Sequence, residues 1–115
     1  MDRLKNRSDF LRAARGVRRV TPGLTLEICS NTEPSIRVGF TASRKIGGAV
    51  VRNRAKRRLR AAAAAVLPLS GLPGTDYVLV ARPGTVTRPF ENLKADLVQA
   101  LRAAHVKLGR AGDAN

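Results

Sequence analysis

The sequence predicts an α+β fold, an α/β sandwich in which a small central sheet carries helices packed on it, and three observations predict it. Apolar and polar side chains alternate with period two through most of Leu24–Cys29 and again over Ile36–Ala42. From Ala49 to about Val66 a helical period replaces that alternation. Tyr77–Ala81 is an almost continuous apolar run, which suits a central strand buried on both faces. With a helix before these segments and another after them, the order is helix, strand, strand, helix, strand, helix. The 115 residues suit one domain over 1–115, ordered from about 3 to 108.

Each element has its own local reason. Ser8 can cap a first helix that carries Phe10, Leu11 and Ala14 on one side and ends near Gly16. A short strand fits Val17–Val20, followed by a turn at Thr21-Pro22-Gly23. Asn31–Pro34 also reads as a turn, so the two alternating strands are expected to pair as an antiparallel hairpin. Ser43–Gly48 is a basic, glycine-containing connection. The helix from Ala49 is expected to stop at Pro68 and the Gly71–Gly74 region, because proline lacks an amide hydrogen. A loop holds Pro83 and Gly84, and Pro89 fits the first turn of the last helix. Leu93, Leu97, Leu101, Ala104 and Leu108 form one stripe along that helix. The tail from Gly109 is small and polar and is expected to fray.

Charge is the strongest functional signal. The chain holds 22 Lys and Arg against 8 Asp and Glu, a formal net charge of +14. Such a balance points to a polyanionic partner, with nucleic acid first and an anionic membrane surface second. The charge is concentrated. Arg44, Lys45, Arg52, Arg54, Lys56, Arg57, Arg58 and Arg60 fall in one stretch that contains no acid. Wound as a helix, Val51, Ala55, Leu59, Ala62 and Val66 occupy one narrow arc. The basic residues and Asn53 sweep most of the rest. Arg52/Lys56, Arg54/Arg58 and Lys56/Arg60 are like charges at i and i+4, each costing a few tenths of a kcal/mol. A guanidinium can donate two hydrogen bonds to one phosphate. The Asn53 amide can both donate and accept, so it suits a base edge, a ribose hydroxyl or a phosphate.

Catalytic chemistry finds no support in the residues. His105 is the only histidine and Cys29 the only cysteine, so no disulfide framework or zinc finger can be built. Asp9, Glu27, Asp76, Glu91 and Asp96 are scattered, whereas a two-metal nuclease needs convergent carboxylates. Gly47-Gly48 could cradle a phosphate before the helix, but no Walker pattern surrounds it. No apolar run approaches a membrane span and the N-terminus lacks an apolar signal core, so a reduced, cytoplasmic location is expected. No metal site and no catalytic residue are assigned to the chain.

Ala49-Val50-Val51-Arg52-Asn53-Arg54-Ala55-Lys56-Arg57-Arg58-Leu59-Arg60 resembles the RNR signature of the bacterial ribonuclease P protein family. Arg37–Gly48 resembles the strand and basic lead-in before that signature, Leu4–Phe10 the family's first helix, and Tyr77–Pro83 its last strand. The resemblance covers about residues 3–108. It implies a cytoplasmic partner of one large RNA, in which the RNA removes the 5′ leader of precursor transfer RNA with Mg²⁺. It further implies a left-handed βαβ crossover, where the general rule favours a right-handed one. By position, Arg44, Lys45, Arg52, Asn53, Arg54, Lys56, Arg57, Arg58 and Arg60 would face the catalytic RNA. A groove between the first helix and the sheet would hold the single-stranded leader, with Phe10, Arg12, Arg15, Arg37 and Phe40 as its residues. The chain departs from the family in having Ala14 and Glu27 where many relatives carry aromatics, so its groove is less aromatic. A ribosomal or RNA-chaperone protein is the alternative that shares its size and charge, and a self-sufficient nuclease is a third reading.

Overall fold

The structure, a computed structural model, describes residues 1–109. Its elements in chain order are β1 (Asp2–Arg3), α1 (Arg7–Ala14), β2 (Val17–Val20), β3 (Leu24–Ser30), β4 (Ile36–Thr41), α2 (Ala49–Ser70), β5 (Thr75–Ala81), α3 (Pro83–Thr87) and α4 (Phe90–Leu108). A 3-10 turn at Arg44–Ile46 leads into α2. The strands form one mixed sheet in the order β1-β4-β5-β3-β2. The expected α+β sandwich is present, and the tail expected to fray lies, beyond Gly109, outside the described residues.

The expected hairpin between β3 and β4 is not formed, because β5 lies between them. It pairs antiparallel with β3 and parallel with β4, and the β4–α2–β5 crossover makes the parallel pair possible. The reason lies in β5 itself. Tyr77 and Leu79 point to one face and Val78 to the other, and all three are buried. A strand apolar on both faces belongs at the centre, where both of its edges are also hydrogen-bonded. The actual hairpin joins β2 and β3 in register Val17↔Ile28 to Val20↔Thr25. Thr21 closes its turn, its hydroxyl donating to the Leu24 carbonyl at 2.7 Å.

Helix boundaries differ from expectation in three places. Asn6, not Ser8, precedes the first helical residue. Helix α2 runs through Pro68 to Ser70, and the Gly71 amide then donates to the Leu67 carbonyl at 2.8 Å. Pro83–Thr87, expected as loop, is a short helix with proline at its start.

The two sheet faces are unequal. One carries Leu24, Leu26, Ile28, Val38, Tyr77 and Leu79 and is covered by α2 and α4. Leu93, Leu97, Leu101 and Ala104 of the α4 stripe are buried there, and Leu108 packs against them. The other face carries a smaller cluster of Leu4, Ala13, Cys29 and Val78 under α1. Helix α1 has only eight residues, so it covers one end of this face and leaves the rest open.

Candidate nucleic-acid interface

Helix α2 presents the basic surface that its sequence pattern predicts. Ala55, Leu59, Ala62, Ala63, Val66 and Leu67 are buried. Their spacing turns Asn53, Arg54, Arg57 and Arg60 to solvent, with Arg52, Lys56 and Arg58 half-buried at the flanks. Arg44 and Lys45 are exposed in the 3-10 turn. Among the described residues none of these basic side chains forms an ion pair. Two have internal contacts. Arg58 donates through Nη2 to the Arg88 carbonyl, and the Arg60 guanidinium lies 5.6 Å from the Phe40 ring centroid.

The second group of expected site residues is only partly assembled. Phe10 projects from α1 onto Gly39 of β4. A Cβ at Gly39 would come within 2.5 Å of the Phe10 ring, so the glycine is what admits the aromatic. Arg12 and Arg37 converge on the buried Asp76. Arg37 grips its carboxylate through Nε and Nη2 at 2.8 Å each, Arg12 donates to it at 3.1 Å, and the Asn31 amide adds a third donor at 2.7 Å. Arg12 also reaches Asp9 at 3.1 Å. Burial alone would push the Asp76 carboxyl up, but these hydrogen bonds and the Arg37 charge outweigh it and hold the carboxyl below the ordinary range. The Arg15 side chain donates to the Leu11 carbonyl of its own helix at 3.4 Å.

Phe40 does not join this group. Strand parity puts it with Val38 and Ile36, facing α2, while Arg37 and Gly39 face α1. Phe40 lies on the opposite face from Phe10, between the guanidinium groups of Arg3 and Arg60.

The uncovered part of the α1 face brings in residues that motif reading missed. A cavity of about 430 Å³ there is lined by Arg18, Thr25, Lys45, Val80 and Arg82 among others. The sequence offered only the short strand Val17–Val20, and the β2–β3 register then sets Arg18 opposite Glu27. Partial burial pushes the Glu27 carboxyl up, with the charge of Arg18 opposing the shift.

Burial raises the Cys29 thiol above its ordinary range, against the pull of Arg12. His105 is buried, with Nε2 2.7 Å from the Tyr77 hydroxyl. Among the described residues no three His, Cys, Asp or Glu side chains cluster to hold a metal ion, and no helix is long and apolar enough to cross a membrane.

A family model described as ribonuclease P matches residues 1–105. The chain belongs to the ribonuclease P protein family. Among its relatives, the ribonuclease P protein component of Ruegeria pomeroyi is 52% identical over 106 residues, spanning 89% of this chain and 85% of the relative. That of Caulobacter vibrioides is 48% identical over 113 residues, spanning 96% and 76%. The solved RNase P protein of Staphylococcus aureus superposes with a TM-score of 0.75 at 26% identity, covering 92% of this chain and 97% of that one. Family members are RNA-binding subunits of the endoribonuclease ribonuclease P, whose catalysis resides in the RNA.

Proposed function

We propose that the arginine face of α2 docks this subunit on the catalytic RNA, while the open sheet face beside α1 holds the single-stranded leader of precursor transfer RNA. The observation that carries the reading is the acid-free face of α2, anchored on one side and, among the described residues, bare of ion pairs on the other. Arg44, Lys45, Arg52, Asn53, Arg54, Lys56, Arg57, Arg58 and Arg60 form the docking surface. Phe10, Arg12 and Arg15, extended by Arg18, form the leader side. Arg37 supports it by fixing Asp76, and Phe40 belongs to the other face. Mg²⁺ enters through the RNA. The chain's own buried carboxylates do not fit a metal role, since Asp9 and Asp76 hold Arg12 and Asp96 holds Arg88 at 2.5 Å. A ribonucleoprotein of this kind works in the bacterial cytoplasm.

Reconstitution tests the reading. Precursor transfer RNA at low Mg²⁺ is incubated with the protein, with a bacterial ribonuclease P RNA, and with both. Correct 5′ cleavage is expected only, or far faster, in the mixture. A folded protein that gives no stimulation would favour a ribosomal or chaperone role, and cleavage by RNA-free protein would overturn the mechanism. Within the active mixture, Phe10→Leu should weaken precursor binding more than mature transfer RNA binding, because stacking on an aromatic contributes about 1–3 kcal/mol per base. Equal loss for both substrates would remove Phe10 from the leader side.

A further inference from the structure

We propose that the cleft between α2 and the α3–α4 corner is a pocket for a single unstacked nucleotide of the RNA, with Phe90 as its stacking surface. The inference deepens the docking reading above and rests on it. The cleft encloses about 430 Å³ and is lined by Arg54, Arg57, Arg58, Ala61, Val86 and Phe90, a volume within the usual range for small-ligand sites. Its chemistry is divided. Three guanidinium groups stand along the α2 side, and the remaining lining is apolar and aromatic. A nucleotide has the same division, an anionic phosphate joined to a flat base whose π-face stacks on aromatic rings. A phosphate track alone would need only the arginines. Phe90 and Val86 rest on the main core and line the cleft with their remaining surface, which a phosphate track would not use.

The site is held in place before any ligand arrives. Arg58 crosses from α2 to the Arg88 carbonyl. The Arg88 side chain is itself gripped by Asp96, at 2.5 Å through Nε and 3.0 Å through Nη2. The corner that carries Phe90 is thus tied to the basic helix. Arg58 Nε is buried and, among the described residues, without a hydrogen-bond partner, a donor that a base carbonyl or phosphate oxygen entering the cleft can satisfy. Lys94, paired with Glu91 at 2.8 Å, lies over the Phe90 ring and does not line the cleft. Ala61 is exposed and small, and its missing bulk keeps the entrance open. Base edges inside a double-stranded RNA are poorly reached by side chains, so the occupant is an unpaired nucleotide.

The test compares binding of a ribonuclease P RNA by the full chain and its Ala61→Leu, Phe90→Leu and Phe90→Tyr variants across a series of salt concentrations. Ala61→Leu, which fills the cleft from an exposed position, and Phe90→Leu, which keeps bulk but removes the ring, should each weaken binding about 5- to 150-fold. Phe90→Leu should leave the salt slope unchanged, since it removes no phosphate contact, and Ala61→Leu should lower its magnitude by no more than the single phosphate the cleft admits. Phe90→Tyr should restore binding. Nucleobase probing should show a base protected by the parent protein and exposed with Ala61→Leu. Parental affinity in Ala61→Leu, or a flattened salt slope in Phe90→Leu, would overturn the pocket. If the parent itself shows no salt-dependent binding, the docking reading fails instead. Should Phe90→Leu melt early by circular dichroism, Ala61→Leu still decides.

Discussion

Asp76 is a fully buried carboxylate with three different side chains donating to it, and its worth can be argued from its partners. Removing one member of a buried ion pair costs about 3–5 kcal/mol, because the other charge is left behind. Arg12 is half-exposed and can turn to water, whereas Arg37 is four-fifths buried. Asp76→Asn should therefore lower stability by about 3 kcal/mol at pH 7, read by denaturant unfolding. The pH dependence has a definite sign. The folded-state value lies below the unfolded one, so the contribution is complete above about pH 4 and fades as pH falls through the lowered value. The gap between parent and variant should shrink in that acid window and nowhere above it. A gap constant down to pH 2 would remove the carboxylate charge from the account. This network was not legible in the sequence, where Asp76 stands 45 residues from Asn31, 39 from Arg37 and 64 from Arg12, and Asp9 and Asp76 read as scattered acids. Phe40 and Arg37 cannot share one groove, because odd and even positions of one strand face opposite ways and Phe40 turns toward α2.

At the scale of elements, α2 was the most legible part of the chain, because its two requirements are both periodic. Ala55, Leu59, Ala62 and Val66 had to recur on one side to be buried, and the arginines filled what remained. Val51, expected on that buried arc, is 38% exposed, since the helix begins beyond the edge of its support. The pairing of strands was not legible. Period-two alternation says that β3 and β4 are strands, not which strand lies between them, and only the two-sided apolar run of β5 carries that information. The same helix holds a conflict between folding and binding. Arg54 and Arg58 repel at i and i+4, and no acid lies in the first turn, where the helix dipole would favour one. Arg54→Glu should turn the repulsive pair with Arg58 into an attractive i, i+4 pair and stabilise the free protein by about 0.5 kcal/mol. It should also weaken ribonuclease P RNA binding and reduce the magnitude of the log–log salt slope by about one. Paired melts and salt titrations check the two halves. A variant that is both less stable and equally tight would refute the view that this helix trades its own stability for RNA contact.

For the molecule as a whole, the formal charge of +14 understates the surface imbalance. Asp9, Asp76 and Asp96 are all buried and all engaged by arginines, so they offer little to an approaching polyanion or to the exposed cations of α2. Acids left at the surface include Asp2, Glu33 and Glu91, none of them on α2. The folded state therefore brings many unpaired cations together, and self-repulsion destabilises it when no anion is present. Screening and binding both relieve that repulsion, but they scale differently. Simple screening depends on ionic strength alone. Binding to the native surface adds RT ln(1 + [L]/Kd), about 2.7 kcal/mol at a hundredfold excess over Kd. Sulfate should consequently raise the melting temperature more than chloride at equal ionic strength, and ribonuclease P RNA more than either at far lower concentration. Circular dichroism melts in the three solutions decide the matter. Coincident curves for sulfate and chloride would mean that the charge is merely screened, and that the surface holds no anion sites prepared in advance for RNA.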